Sequence, residues 1–260
     1  MTDTVTTGGK APLGVGSIIS ESFSILFANF VKVLMIAFIP TVVGLLISGA
    51  FLGFGVALGI EDPAATLDPN DLGGFFAGIA VAAVIQMVIY GLVIALMVQL
   101  AYDAIVGRPV KLVEYFGPAL RAALPIAVLT FVATILYGIG FALLIVPGLW
   151  LYAVFSVTAP AVVIDKVGFG GLGRSARLTK EYRWPLVGLF IVILIIVFAV
   201  SMVANFAAIA TGSIAIALVI SALINSIGSG LLGISSAIAY ARLREIKEGV
   251  GVEQIVEVFD

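Results

Sequence analysis

Long apolar stretches alternate with short polar ones along this chain. Residues 33–60, 72–102, 122–164 and 184–241 contain no Asp, Glu, Lys or Arg. A helix crossing the hydrocarbon core needs about 20 apolar residues. The first two stretches therefore fit one span each, and the last two fit two each if a turn divides them. Pro147-Gly148, following Leu143-Leu144-Ile145-Val146, is a helix breaker placed to close a tight hairpin, and Thr211-Gly212-Ser213 takes that part in the fourth stretch. The pattern predicts spans at about 31–59, 74–102, 123–145, 148–164, 185–209 and 214–241.

A second periodicity precedes each pair of spans. Ile18, Ile19, Phe23, Leu26, Phe27 and Phe30 share one helical face, with Ser17, Ser20, Glu21 and Ser24 opposite. Leu112, Val113, Phe116, Leu120 and Leu124 repeat this before the third span, with Lys111, Glu114 and Arg121 across from them. The segment 173–183 before the fifth span is the most basic of the three. Three similar units follow, each an interfacial amphipathic helix and a two-span hairpin, related by an axis along the membrane normal. The expected fold is an all-α integral membrane protein of six transmembrane helices arranged as three hairpins. Residues 15–249 form its one domain, between a disordered polar N-terminus, 1–14, and a tail, 250–260.

Charge adds the sidedness. The chain has 13 Lys and Arg, and all of them fall before or at the very start of the first span, between spans two and three, between four and five, or after six. Basic residues in short loops stay cytoplasmic, which puts both termini inside. Glu61, Asp62, Asp68 and Asp71 occupy the loop after span one. Taking those four from the fifteen acids leaves eleven against thirteen bases, so the inner side is net +2 and the outer side −4. Composition agrees with a lipid solvent: 62% of residues are hydrophobic, 11% are charged, and the mean hydropathy is +1.26. Residues 1–16 are polar and carry one base, unlike a cleaved signal peptide or an Arg-rich transit peptide.

Candidate chemistry is sparse. Cys and His are absent, which removes thiolate nucleophiles, soft metal ligands and the usual general base. Ser175 and Lys180 are five apart and do not share a helical face. No catalytic residue, cofactor or metal is expected, and the chain reads as a non-enzyme. No ionisable residue sits inside a span, which counts against ion-coupled transport. The polar groups at depth are Gln86, Gln99, Asn205, Asn225, Thr41, Ser48 and the serines 226, 229, 235 and 236, which read as interhelical hydrogen-bonding groups. Gln86, Asn205 and Asn225 are the candidate lining of a mid-membrane space, and Pro40 and Pro160 could kink helices around one. Gly49 with Gly53, Gly55 with Gly59, Ser226 with Gly230 and Ser229 with Gly233 allow close helix contact, within the chain or between copies. Trp150 and Trp184 fit interfacial belts at opposite surfaces.

The stretch 143–151, Leu-Leu-Ile-Val-Pro-Gly-Leu-Trp-Leu, followed by Ala159-Pro160-Ala161-Val162-Val163 and Arg174-Ser175-Ala176-Arg177-Leu178-Thr179-Lys180, resembles the membrane domain attached to some bacterial glycerophosphodiester phosphodiesterases. It also resembles related six-span bacterial proteins that carry this domain alone, and residues 240–249 are similar to their usual departure from the last span. The likeness runs from about Val15 to Gly251. It implies a six-helix module in the bacterial cytoplasmic (inner) membrane. The esterase activity belongs to a separate soluble barrel, so it does not transfer to this chain.

Two functional expectations follow. The first is a module that engages membrane phospholipid, or a membrane-protein partner, at the inner leaflet. Arg121, Arg174, Arg177, Lys180 and Arg183 are its candidate anionic-lipid contacts, at about 1 kcal/mol per base. The alternative is a channel or carrier for a small neutral or apolar solute. No nucleic-acid partner is expected.

Overall fold

A computed structural model describes residues 11–62 and 72–249. The expected tail and most of the expected polar N-terminus lie outside the described residues, as do Asp68 and Asp71. The described residues form helices and turns, without strands. In chain order the helices are α1 (Val15–Ala28), α2 (Phe30–Leu52), α3 (Phe54–Ala57), α4 (Leu72–Ile105), α5 (Leu112–Leu143), α6 (Ile145–Phe155), α7 (Thr158–Ile164), α8 (Gly171–Leu178), α9 (Arg183–Ala210) and α10 (Ile214–Glu248). Six helical segments are long and apolar enough to cross a membrane: α2, α4, α5, α6 with α7, α9 and α10.

Several boundaries differ from the sequence pattern for local physical reasons. Span one stops at Leu52, because Gly53 adopts φ 84° and ψ 146°, a conformation open to glycine, and turns the chain into the one-turn α3. The divide between spans three and four is Leu144, extended at φ −165° and ψ 157°, and not Pro147-Gly148. Pro147 instead sits in the first turn of α6, where a missing N–H costs nothing. Gly148 lies against Gly140 so closely that a Cβ on Gly140 would stand 2.9 Å from the Gly148 Cα.

The three pre-span segments take three different forms. The first is a separate helix, α1, which buries Ile18, Ser22 and Leu26 and packs along α10 and α9. Ser235 Oγ donates to Ser22 Oγ at 2.9 Å, and Ser22 donates on to the Ile18 carbonyl at 2.7 Å. The second is continuous with α5, buries Tyr115 and Ala119, and leaves Val113, Phe116, Leu120 and Leu124 exposed. The third contains the two-turn helix α8.

Packing is lopsided along the bundle. Leu96, Met97, Val98 and Leu100 of α4, Leu186, Leu189 and Ile193 of α9, and Ile234, Ile238 and Tyr240 of α10 are buried in one continuous core at the base-bearing end. At the opposite end Ile195, Phe198, Met202, Val203, Phe206 and Ile209 of α9, and Ile214, Ile216 and Val219 of α10, are exposed. The small-residue pairs on α10 serve the core: a Cβ on Gly230 would meet Val33 at 2.8 Å, and one on Gly233 would meet Met97 at 2.6 Å.

Candidate functional site

The site is built around a helix that does not run straight through. Span four is interrupted between α6 and α7, with Ser156 and Val157 at the break and Val157 at φ −109°, ψ 21°. Its cause is in the sequence. Pro160 has no N–H to give the carbonyl four residues back, on Ser156, so that carbonyl is released from the helix ladder. Backbone polar groups freed at membrane depth must find partners in the protein. Here Ser236 Oγ of α10 donates to the Ser156 carbonyl at 2.7 Å. The neighbouring Val154 carbonyl accepts from Ser175 Oγ of α8 at 2.7 Å, and Thr179 Oγ1 stands 3.2 Å from it. Side chains 21 to 80 residues away in sequence thus cap the broken span.

Irregular backbone of this kind persists at depth where it is buried in protein or lines a cavity, and here it does both. A crevice of about 110 Å³ is walled by Tyr90, Thr130, Tyr137, Tyr152, Phe190 and the Ser156–Ser236 pair. The aromatic rings stand edge to face, Tyr137 to Tyr152 at 5.7 Å and Tyr152 to Phe190 at 5.6 Å between centroids. Tyr137 Oη is 2.8 Å from Thr134 Oγ1. A second crevice, of about 170 Å³, has Thr41, Gln86, Ser201, Asn225 and Ser229 in its wall, and meets the first at Tyr90 and Leu232. A shallow groove follows on α9, with Ser201, Asn205 and Phe206. These spaces adjoin through shared lining residues, Tyr90, Leu232 and Ser201, and their walls are largely apolar with scattered hydroxyl and amide groups and no charged residue.

The structure brings together Gln86 and Asn225 of the expected lining and sets Asn205 aside in the groove, linked to them only through Ser201. Asn225 Nδ2 donates to the Ser221 carbonyl at 2.8 Å, which leaves its amide oxygen to the crevice. Gln99 is spent elsewhere, tying α4 to α5 through the Tyr115 carbonyl at 3.3 Å.

Sequence reasoning missed Tyr90, Thr130, Tyr137, Tyr152 and Ser156. A signal existed in the proline four residues after Ser156, which names the orphaned carbonyl. Tyr137 and Tyr152 meet because the turn is at Leu144; with the turn expected at Pro147-Gly148, the two tyrosines fall out of register.

The basic residues separate into two groups. Arg174 turns inward: its Nε donates to Asp165 Oδ2 at 2.7 Å, and its guanidinium grips both carboxylate oxygens of Glu248, Nη2 to Oε2 at 2.9 Å. Arg244 completes the ring, reaching Asp165 Oδ1 and Glu248 Oε2 at 3.2 Å each. All four side chains are less than a third exposed, and two acids against two bases leave the clasp neutral. It ties α8 and the end of α7 to the last turns of α10, past the apolar part of that helix. Arg174 and Arg244 there hold the Glu248 carboxyl below its usual range. Lys247 Nζ adds hydrogen bonds to the carbonyls of Arg177 and Lys180, at 3.2 and 2.6 Å.

Arg121, Arg177 and Lys180 instead lie exposed on the surface. Arg183 lies over the Trp150 ring, 4.2 Å from its centroid. That contact corrects the expectation of tryptophans at opposite surfaces, because the residue beside Trp184 reaches Trp150 directly. An arginine side chain is too short to bridge a hydrocarbon core of about 30 Å. No family model, curated protein or solved structure matches this chain.

Proposed function

We propose that this chain is a non-enzymatic carrier or channel for a small neutral solute, which passes through the adjoining crevices beside the broken span. The observation that carries this reading is the broken fourth span, whose freed carbonyls are capped from other helices and whose break opens onto a crevice that holds several hydroxyls. The uncharged wall supports neutral cargo, since an ion would meet no counter-charge to offset its dehydration. In this reading three hairpins sit in the bacterial inner membrane with both termini cytoplasmic, and the clasp of Asp165, Arg174, Arg244 and Glu248 closes the inner end.

The test is osmotic swelling of proteoliposomes in a series of neutral solutes. Wild-type protein should speed swelling, and Ser229→Trp, which fills the second crevice, should abolish the gain. Swelling no faster than in protein-free vesicles would end the reading.

A second reading, engagement of anionic phospholipid at the inner leaflet, is favoured by one observation. Exposed Val113, Phe116, Leu120 and Leu124 form an apolar stripe beside exposed Arg121, the pattern of a helix surface lying against lipid. Arg121, Arg177 and Lys180 are its contacts, while Arg174 is committed to the clasp. The two readings are compatible.

A further inference from the structure

We infer that the chamber beside the broken span is a binding site for a small polyhydroxylated solute, an inference that rests on the proposed transport role and names its cargo class. Size sets the first limit. A space of about 110 Å³ holds on the order of seven to ten water-sized positions, which corresponds to a solute of about six to eight non-hydrogen atoms.

Chemistry sets the second. The polar side chains of an otherwise apolar wall are all hydroxyls: three phenols and the side chains of Thr130, Ser156, Thr158 and Ser236. Four of these are already engaged in the protein. Ser156 Oγ donates to the Ala153 carbonyl at 2.9 Å, Thr158 Oγ1 to the Phe155 carbonyl at 2.7 Å, and Ser236 Oγ to the Ser156 carbonyl, while Tyr137 pairs with Thr134. The phenols of Tyr90 and Tyr152 make no hydrogen bond to protein among the described residues, and each can both donate and accept. Two phenols lining one small crevice, neither of them spent on the protein, favour a ligand that also donates and accepts at neighbouring atoms.

Adjacent hydroxyls on a short carbon chain meet that demand. The edge-to-face rings of Tyr137, Tyr152 and Phe190 supply apolar surface for the carbon-bound hydrogens of such a chain. An organic cation would gain from the rings, but it would enter a site with no carboxylate in its wall, and an anion would meet no base.

The experiment pairs uptake with binding. Proteoliposomes are challenged with erythritol, mannitol, urea and tetramethylammonium, and purified protein is equilibrated with radiolabelled erythritol. Wild type should pass and bind erythritol, and exclude the larger mannitol. Tyr90→Phe with Tyr152→Phe keeps both rings and should lower erythritol uptake and binding about tenfold, with an unchanged melting temperature. If neutral solutes pass but the double variant treats erythritol as wild type does, the chamber assignment is wrong and the transport role stands. Preference for tetramethylammonium over erythritol would also overturn it. Passage of no solute at all, with erythritol nonetheless bound in a tyrosine-dependent way, would remove the transport role and keep the site. Neither passage nor binding would remove both.

Discussion

Replacing Ser236 with Ala removes the hydroxyl that donates to the Ser156 carbonyl at 2.7 Å, a carbonyl that Pro160 already deprives of its helical partner. An orphaned buried acceptor costs about 1 to 3 kcal/mol, although side-chain hydrogen bonds in membrane bundles average about 0.6 and reach about 1.7. Because this acceptor has no backbone alternative, the upper part of that range applies, and Ser236→Ala should destabilise the bundle by about 1 to 2 kcal/mol. Pro160→Ala restores an N–H that can reach Ser156. In that background the cost of Ser236→Ala should fall below about 0.5 kcal/mol, a coupling near 1 kcal/mol. Reversible unfolding of the four proteins in mixed micelles, by titration with a denaturing detergent, measures each corner of the cycle. Equal losses in both backgrounds would refute the argument that proline creates the demand and serine meets it. A negligible loss in the wild-type background would refute it too, by showing that water from the crevice caps the carbonyl equally well.

Arg174→Gln should cost about 2 to 3 kcal/mol, because it leaves Asp165 and Glu248 to share Arg244 alone; an unchanged melting temperature in detergent would show the ring to be dispensable. The pH dependence follows from Glu248, whose carboxyl is lowered from 4.5 chiefly by Arg174. A depressed carboxyl contributes stability that is complete above its unfolded value and is lost as pH falls through the folded one. Melting temperature should therefore be flat from pH 8 to about 6 and drop below about 4.5, and Glu248→Gln should shrink the drop. Gly91→Ala places a methyl 2.8 Å from the Ala123 carbonyl oxygen and should cost about 1 to 3 kcal/mol, since backbone cannot yield as a side chain would; a neutral result by thermal melting would show that α4 and α5 separate freely. Replacing Arg121, Arg177 and Lys180 with Gln should reduce anionic phospholipid retained on purification, as counted by mass spectrometry. Equal retention would set the leaflet reading aside.

The spans were legible because span-forming content is a property of the chain itself. Twenty residues without a charge and with enough apolar surface pass into lipid whatever their neighbours are, so stretches such as 184–241 announce two helices unaided. Helix ends were less legible. Pro147-Gly148 looks like a turn by composition, yet proline is harmless in a helix's first turn, and the residue that breaks the chain is the unremarkable Leu144.

The site was least legible, since its parts meet only in three dimensions. Arg174 recurs with Arg177 and Lys180 as one basic repeat. Which of the three turns inward depends on Asp165 and Glu248 arriving beside it from two other helices. Ser236 reads as one of several small polar residues on α10 until α7 brings an unpaired carbonyl opposite it. Sequence by itself determined how many helices are long and apolar enough to cross a membrane, because hydropathy acts residue by residue. Only the tertiary structure decided where span four breaks, which hydroxyls repair it and which phenols are left facing the crevice, because hydrogen bonds need partners that the chain supplies from as far as 80 residues away.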